Sequence, residues 1–355
     1  MQLIHKDLRK GIAKIKIENK DDIWYLSTLV EEGDIVRSRT ERKIKIGSGG
    51  SEDRKANVKI IHVTLSIKLE KIEFHKYTGD LRISGKIIEG LEDVPAGSYH
   101  TFNIEEGTIL TLEKPAWLGY HVKRLKEAME DKPSNILICV FDREEAMFAL
   151  MKKYGYDVLV EIKGDVQKKA VDEKVKANFY HEIIKLLENF DAKYKFTKII
   201  LASPSFWKEE LSKELTNESL KKKLLFATSN SVSKSAINEV LKRPEVSTAI
   251  KQDRVIREIG LVEEVLGEIK KSGLVVYGIK ETKEASEMGA IKVLLVSDGV
   301  ILKKRQEGTF GEVERIMREA DSTQADVYIV SSEHDGGKTL DGLGGIAALL
   351  RYRIK

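Results

Sequence analysis

The segment ILICVF, residues 136–141, is a continuous apolar run, and the pattern of the chain changes at this point. A strand that is hydrophobic on both faces is typical of a sheet covered by helices on each side. Before the run, apolar and polar residues mostly alternate with a period of two. After it, short apolar runs alternate with helical patterns. The run therefore predicts that an α/β layer domain begins here, after a domain built on another plan.

The region before residue 131 is predicted to be a small β-barrel. In VTLSIKLE, residues 63–70, apolar and polar residues alternate, as expected of a strand buried on one face. The preceding pair Ile60–Ile61 shifts this phase by one residue and predicts a β-bulge. A helix is expected between Asp21 and Glu31. Further strands are expected at residues 12–17, 81–88 and 99–104. Short strands joined by glycine turns are typical of small barrels.

Beyond residue 141, helix and strand patterns alternate. REEAMFALMKKYG, residues 143–155, is predicted to be a helix, and a long helix is expected from about Gln252 to Lys271. Later strands are expected at residues 156–162, 198–203, 224–229, 274–278, 292–298 and 325–332. The alternation indicates two successive α/β layer domains. We therefore divide the chain into residues 1–130, 131–258 and 259–355, an α+β and α/β multidomain protein.

The totals exclude several classes of protein. The chain has 61 basic and 57 acidic residues, a formal balance of +4, so a nucleic-acid site would have to come from clustered charge. A single cysteine, Cys139, excludes an internal disulfide framework and fits a reducing cytoplasm. No apolar run approaches the roughly 18 residues of a membrane span. We expect a cytoplasmic protein without membrane contact.

The stretch VRSRTERKIKIGSGGSEDRKANVKI, residues 36–60 and here called the basic ribbon, concentrates positive charge. Its cations flank a glycine- and serine-rich tip that is costly to order without a partner. The candidate RNA-contacting residues are Arg37, Arg39, Arg42, Lys43, Arg54, Lys55 and Lys59. If about four of them met phosphates of a single strand, log affinity would fall with log salt at a slope near −3. The alternative is an edge ribbon protected from aggregation by its charge.

Other motifs in the sequence give weaker indications. The stretch SEHDGGKTL, residues 332–340, ends like a phosphate-binding loop, but Ser332 stands where that motif needs glycine, so a turn at a strand end is the better interpretation. Asp142 is interpreted as a helix N-cap. A second cationic tip surrounds Gly164, and its candidate contacts are Lys163, Lys168 and Lys169. Because nearby acidic residues almost balance these lysines, a solvated connection is the alternative.

Four stretches resemble the Pelota family, the archaeal and eukaryotic relatives of the class-I translation release factor. They are HKDLRKGIAKIKIENKDDIWYLSTLVEEGDIVRSRTERKI (5–44), GSYHTFNIEEGTILTLEK (97–114), YGIKETKEASEMGAIKVLLVSD (277–298) and LDGLGGIAALLRYRI (340–354). The resemblance covers the whole chain. It implies an Sm-like N-terminal barrel followed by two α/β domains.

The resemblance also implies a function. Such a protein enters the empty decoding site of a stalled ribosome with an elongation-factor-1-alpha-type GTPase, and an ABC-type recycling ATPase then splits the subunits. The basic ribbon would reach the decoding centre and contact ribosomal RNA and mRNA independently of codon. We expect a monomer that requires no cofactor for ribosome binding.

The chain departs from the release factor at the group that releases the peptide. That factor uses a Gly-Gly-Gln tip, whereas the glycine pairs here, at 49–50, 336–337 and 344–345, are followed by Ser51, Lys338 and Ile346. The loop with Gly164 and Gln167 has the position of that tip without its sequence. We therefore expect no hydrolysis of peptidyl-tRNA.

The same resemblance leaves an endoribonuclease as the alternative function. It would depend on a divalent cation and lie in the N-terminal domain, where Asp21 and Asp22 are the weak catalytic candidates, and no ligand spacing identifies the metal site. A third interpretation is an RNA-binding scaffold that needs no GTPase.

Overall fold

The computed structural model describes residues 1–46, 57–75, 78–89, 95–130, 135–164, 173–251 and 253–354, with the backbone alone at 42–46, 57–61, 130 and 173–178. These residues form two compact units. The first contains Met1–Asp131 and Ile301–Val327, and the second contains Lys132–Val300 and Tyr328–Lys355. The last segment of predicted α/β structure is therefore shared between the two units.

The N-terminal part of the first unit is one antiparallel sheet with two helices. Its elements are β1 (Gln2–Asp7), β2 (Ile12–Lys16), α1 (Lys20–Leu29), β3 (Ile35–Ile46), β4 (Asn57–His75), β5 (Asp80–Ile87), β6 (Tyr99–Ile104), β7 (Ile109–Glu113) and α2 (Gly119–Glu130). The strand order is β1-β2-β7-β3-β4-β5-β6. Among the described residues β1 and β6 stand at opposite ends of this order, so the sheet is open rather than a closed barrel.

The period-two pattern is confirmed. Leu65, Ile67 and Leu69 of β4 are buried, while Ser66 is partly exposed and Lys68 is exposed. Helix α1 begins at an Asn19 cap whose side chain accepts a hydrogen bond from the backbone N–H of Asp22 at 3.0 Å. The helix is buried along most of its length and packs against α2, β4 and β5. It thereby fills the inner side of the sheet.

The bulge expected at Ile60–Ile61 is wrong. The pairing of β3 with β4 runs in one register from Ile35–Lys68 to Ile46–Asn57. The irregularity lies instead between Leu69 and Lys71, where β4 pairs with β5. Gly85 sits opposite it, and a Cβ atom there would lie 1.9 Å from the Lys68 carbonyl oxygen. The register is interrupted opposite Gly85, where the two backbones approach too closely for a side chain.

The second unit contains a five-stranded sheet. Its elements are β8 (Ile136–Phe141), β9 (Glu145–Lys152), β10 (Gly155–Lys163), α3 (Glu173–Tyr194), β11 (Lys198–Ser203), α4 (Trp207–Glu214), α5 (Glu218–Lys221), β12 (Leu224–Thr228), α6 (Lys234–Lys242), α7 (Pro244–Ala249) and α8 (Arg254–Lys270). The order is β10-β9-β8-β11-β12. Ile138 of β8 faces one apolar core and Cys139 faces the other. The prediction of a strand covered on both faces is confirmed.

The helix predicted at residues 143–155 is wrong, because Glu145–Lys152 form β9, which pairs antiparallel with β8. Asp142 is not a helix cap either. Its Oδ1 atom accepts hydrogen bonds from the backbone N–H groups of Glu144 and Glu145, at 2.8 and 2.9 Å. That turn sends the chain straight back along β8, so alanine, methionine and leucine serve here as buried strand residues.

The remaining elements form a four-stranded sheet and its helices. They are β13 (Val275–Tyr277), α9 (Ile279–Glu287), β14 (Ile291–Ser297), α10 (Asp298–Gln306), α11 (Phe310–Ser322), β15 (Asp326–Val330), α12 (Asp335–Gly342) and β16 (Ile346–Leu350). The sheet order is β13-β16-β14-β15. Strand β16, which is buried throughout, was missed by the periodicity because an apolar run of five residues suits several structures.

The glycine pair at 336–337 does not lie in a strand-ending turn, as the sequence had predicted, but in the first turn of α12. His334 caps this helix through Nδ1, which accepts from the N–H of Gly337 at 3.2 Å. A Cβ atom on Gly337 would lie 1.8 Å from the Ser331 carbonyl oxygen. The glycine is thus required by close backbone packing, and no phosphate site is needed to explain it.

Two features noted in the sequence, the single cysteine and the short length of the apolar runs, can be followed in the structure. Cys139 is a fully buried thiol, and burial raises its pKa far above the ordinary value. Across the described ranges, the helices are all too short or too polar to traverse a lipid bilayer.

Candidate nucleic-acid interface

The basic ribbon is a continuous two-stranded extension of the N-terminal sheet. Strands β3 and β4 remain paired as far as Ile46 and Asn57, which flank the undescribed residues 47–56. Beyond Ser38, β3 has left β7, so over its outer part it pairs with β4 alone. A twisted two-stranded ribbon projecting from a larger sheet presents its side chains on two faces.

The described cations of the ribbon lie on its outward face. Arg37 and Arg39 are exposed, whereas the alternating residues Val36 and Ser38 are buried. The backbones of Arg42, Lys43 and Lys59 belong to the paired ribbon, but their side chains lie outside the described residues, as do Arg54 and Lys55 entirely. The ribbon therefore holds at least two guanidinium groups on one side of a regular strand.

A row of polar side chains crosses the sheet at Arg37. Lys14 of β2 is in register with Thr111 of β7, Thr111 with Arg37, and Arg37 with Ser66 of β4. Lys14, Thr111 and Arg37 border a groove of about 440 Å³, here called the outer groove, which is also lined by Ser38, Arg39 and Thr64. Three cations and three hydroxyl groups along neighbouring strands suit the phosphates and 2′-hydroxyls of RNA.

A second depression lies where β3 separates from β7. It is bordered by residues 38–41 of β3, residues 101–103 of β6 and the turn before β7, and we call it the seam cleft. Its volume is about 780 Å³. The Ser38 hydroxyl donates to the Ile109 carbonyl oxygen at 2.9 Å on one side. On the other, His100 Nε2 lies 3.2 Å from the Thr40 hydroxyl. The cleft adjoins the outer groove at Arg39.

The carboxylates suggested for a nuclease lie in a different environment. Asp22 is fully buried; its Oδ1 lies 2.7 Å from the Met1 ammonium, and its Oδ2 accepts from the Glu18 N–H at 2.9 Å. Asp21 beside it is also buried. A divalent cation needs several oxygen ligands around an accessible centre, and these two carboxylates do not fit that requirement. Over the described part of the chain, no three potential metal ligands cluster together.

A buried ionic cluster lies behind this sheet, and sequence analysis missed it. Lys114 Nζ lies 2.9 Å from Glu31 Oε2 and 2.8 Å from Asp34 Oδ2. Glu31 Oε1 also accepts from Tyr120 at 2.8 Å and from His121 Nε2 at 2.9 Å. The residues of this cluster are up to 90 positions apart in the sequence, so no local spacing could have revealed the cluster.

The pKa values of the cluster follow from burial and pairing. Burial works to raise the pKa of Glu31, but hydrogen bonding to His121 and the charge of Lys114 hold it well below its usual range. Burial raises the pKa of Asp34 to about 6, because its bonds to Lys114 compensate only in part. Burial lowers the pKa of His121, so the neutral ring donates through Nε2. The cluster is fully paired and has a structural role.

Helices α10 and α11 contribute to the same unit. Arg305 donates to the carbonyl oxygens of Ser27 and Val30, both at 2.7 Å, at the C-terminal end of α1. Asp321 accepts from the N–H groups of Gly119 and Tyr120, at 2.9 and 3.0 Å, at the start of α2. Each charge therefore meets the helix end that carries the opposite partial charge.

The second cationic tip is described only at its base. Lys163 is exposed at the end of β10, and the Gly164 N–H donates to the Glu144 carbonyl oxygen at 2.7 Å. Lys168 and Lys169 lie outside the described residues. Their contribution to a binding surface stays a prediction.

Comparison with known proteins gives matches along the whole chain. Residues 1–129 match the model of the Pelota N-terminal domain, residues 135–252 match eRF1 domain 2, and residues 255–354 match eRF1 domain 3. The protein pelota homolog of Thermococcus onnurineus is 39% identical over 363 residues, which cover 100% of both chains.

Solved structures show the same fold. The crystal structure of the Thermoplasma acidophilum Pelota protein aligns with a TM-score of 0.74 at 22% identity and covers 100% of both chains. Saccharomyces cerevisiae Dom34, described as a translation termination-like factor involved in RNA quality control pathways and interacting with Hbs1, gives 0.51 at 23% identity. That alignment covers 100% of this chain and 99% of the yeast chain.

Proposed function

This chain belongs to the Pelota family, and we propose that it rescues stalled ribosomes by occupying the empty decoding site in company with a translational GTPase. It acts in the cytoplasm as a monomer, and binding requires no cofactor. Subunit dissociation follows, and the stalled mRNA becomes available for no-go or non-stop decay.

The observation that carries this proposal is the unbroken pairing of the basic ribbon. From Ile35 to Ile46 every β3 residue has a β4 partner, so Arg37 and Arg39 are held outward on a regular strand that continues beyond Ser38 as a two-stranded projection. Cations along such a projection bind the phosphate backbone of RNA without reading its sequence. A factor that must act on any codon needs this kind of contact.

The N-terminal sheet is the part that enters the decoding site. Its residues 1–129 match the Pelota N-terminal domain, and its seven-stranded antiparallel sheet is compatible with an Sm-like small barrel that is incompletely closed. The undescribed tip at 47–56, with Arg54 and Lys55, would extend the ribbon towards the message. The exposed Lys163 and its neighbours Lys168 and Lys169 would contact ribosomal RNA at a second place.

The partners proposed are an elongation-factor-1-alpha-type GTPase and an ABC-type ribosome-recycling ATPase. Yeast Dom34, which has the same fold, is described as interacting with Hbs1. The two eRF1-like regions, residues 135–252 and 255–354, are the parts of this chain on which we place the GTPase. The ATPase binds after GTP hydrolysis and splits the subunits.

The proposal is tested with vacant ribosomes, the GTPase and the ATPase, each added or omitted. We expect subunit splitting only when this chain and the ATPase are both present, with stimulation by the GTPase. Sucrose-gradient sedimentation measures the split fraction. Splitting that proceeds equally well without this chain, or a chain that fails to sediment with ribosomes at low ionic strength, would refute the proposal.

The nuclease alternative has no support from the structure. Asp22 is occupied by the Met1 ammonium and the Glu18 N–H, so neither it nor Asp21 forms an accessible metal site. A divalent cation would be needed only for that alternative.

A further inference from the structure

We propose that the seam cleft binds one nucleobase of a single-stranded RNA whose phosphates lie along the outer groove. This inference rests on the proposed RNA contact of the N-terminal sheet and adds a site for a base. The ribbon alone was expected to ignore base identity. The cleft is lined by residues of the paired strands β3, β4 and β6 and of the turn before β7, so its polar side chains have defined positions and can distinguish one class of base from another.

The size and position of the two depressions support this assignment. The seam cleft has a volume of about 780 Å³, within the roughly 300–1,000 Å³ typical of small-molecule sites. Both depressions are bordered by Ser38, Arg39 and Ile109, so a chain lying in the groove continues directly into the cleft. Phosphates and a base of one strand can therefore occupy both at once.

The outer groove is lined by positive charge alone, whereas the seam cleft also carries negative charge. Lys14, Arg37 and Arg39 border the outer groove, and no acidic residue is among its described lining. The seam cleft shares Arg39 with the groove but adds two carboxylates, Glu41 and Glu105, which oppose a phosphate there. Carboxylates accept hydrogen bonds from the exocyclic amino groups of bases. The cleft thus favours a base edge, and the groove favours the backbone.

The remaining lining of the cleft is suited to a planar polar ring. Exposed Ile109 supplies an apolar surface. His62 also lines the cleft, and its Nδ1 atom lies 3.7 Å from Glu41 Oε1. Asn103 projects from β6 with both donor and acceptor atoms. Cytosine and adenine present amino groups to Glu41 and Glu105, whereas the uracil O4 atom would face their negative charge.

The test uses fluorescein-labelled 12-nucleotide oligocytidylate and oligouridylate, with binding followed by anisotropy at several salt concentrations. We expect the wild-type chain to bind the cytidylate about fivefold to tenfold more tightly, the effect of one base contact of about 1 kcal/mol. The double variant Asn103→Ala/Glu105→Gln should lose this preference and keep its salt slope. Both residues are exposed, so the fold should be retained.

Two further variants separate the explanations. Glu106→Gln removes an exposed carboxylate from the same turn without touching the cleft, and it should preserve the preference. Lys14→Ala/Arg37→Ala should weaken both oligonucleotides equally and make the salt slope shallower by about 1.4. Equal wild-type binding of both oligonucleotides, or a preference that survives in Asn103→Ala/Glu105→Gln, would overturn the inference. Normal ribosome binding in that case would leave the proposed function standing.

Discussion

The Lys114 ammonium lies 2.9 Å from the Glu31 carboxylate, although 83 residues separate them in the sequence. Both side chains are almost completely buried, and the same ammonium also pairs with Asp34. A buried pair of this kind stabilises little relative to apolar residues, but removing one partner leaves an uncompensated charge. The cluster therefore makes the sheet sensitive to the loss of a single cation.

Replacing Lys114 with methionine should lower the free energy of unfolding of the first unit by about 3–5 kcal/mol, because Glu31 and Asp34 lose their counter-charge. Urea unfolding followed by tryptophan fluorescence, with Trp207→Phe in both proteins so that only Trp24 and Trp117 of the first unit report, measures the change. The control is Lys123→Met, which removes a partly exposed pair with Asp326 and should cost under about 1 kcal/mol. Equal losses in the two variants would show that burial of the cluster does not matter.

The variant Arg37→Ala/Arg39→Ala should bind vacant ribosomes and single-stranded RNA more weakly. Two lost phosphate contacts reduce the magnitude of the log–log salt slope by about 1.4. The control Lys185→Ala/Lys222→Ala removes two exposed lysines from the second unit. It should keep the wild-type slope. An unchanged slope in the arginine variant would exclude phosphate contact by the ribbon.

The chain should release no peptide from P-site peptidyl-tRNA, because none of its glycine pairs is followed by glutamine. Two of the pairs, at 336–337 and 344–345, lie in and just after α12, in the last sheet region. Release of labelled peptide measures the activity, with the class-I release factor as positive control. Gln167→Ala should leave subunit splitting unchanged. Peptide release that disappears in this variant would show that the loop has a hydrolytic function.

Stability of the second unit should fall in acid through Glu258. Burial works to raise the pKa of this carboxyl, but Arg254 and His334 lower it to about 2 from an ordinary value near 4.5. Between these values the unfolded chain binds more protons than the native one. The contribution is therefore present above pH 4.5 and is lost as the pH falls towards 2, about 3 kcal/mol in all.

Comparison with Glu258→Gln isolates this contribution. The variant should be less stable at pH 7, because Arg254 loses its buried partner, and the difference from wild type should shrink between pH 4.5 and 2. Urea unfolding at a series of pH values measures it. A difference that stays constant over this range would mean that Glu258 has the same pKa in both states.

Any RNA cleavage seen with Mg²⁺ or Mn²⁺ should be unaffected by Asp21→Asn/Asp22→Asn at temperatures where that variant is folded, since neither buried carboxylate fits a metal site. Gel analysis of a structured RNA measures the rate, and circular dichroism confirms the fold. A loss of cleavage with the fold intact would restore these residues as ligands.

Hydrophobic periodicity predicted the secondary structure correctly where the local pattern agrees with the final packing. The strand at 136–141 shows two-sided burial directly in its sequence, and alternation in β4 identifies its inner face. The error at 143–155 arose because the residues of β9 are good helix formers, while the turn held by the Asp142 carboxylate dictates a strand. Tertiary contact overrode local propensity.

Only part of the candidate RNA-binding surface could be predicted from the sequence, because only that part depends on the local pattern. Arg37 and Arg39 alternate visibly in the sequence, so their outward direction could be foreseen. The place of Lys14 beside them depends on the pairing of β2 with β7 and of β7 with β3, which brings together residues far apart in the chain. The seam cleft likewise depends on where β3 leaves β7. Strand order of this kind is not readable from one sequence.

The contacts of Arg305 and Asp321 bear on how this protein can be divided for experiments. Both residues belong to the region that matches eRF1 domain 3, yet Arg305 caps the C-terminal end of α1 and Asp321 caps the N-terminal end of α2. A fragment that ends at residue 130 would lack both caps, so the last carbonyl groups of α1 and the first N–H groups of α2 would lose these hydrogen-bond partners. The N-terminal segment therefore depends on residues beyond position 300 for two of its helix caps. Affinities measured on the isolated segment would describe a protein in which both helix ends are uncapped.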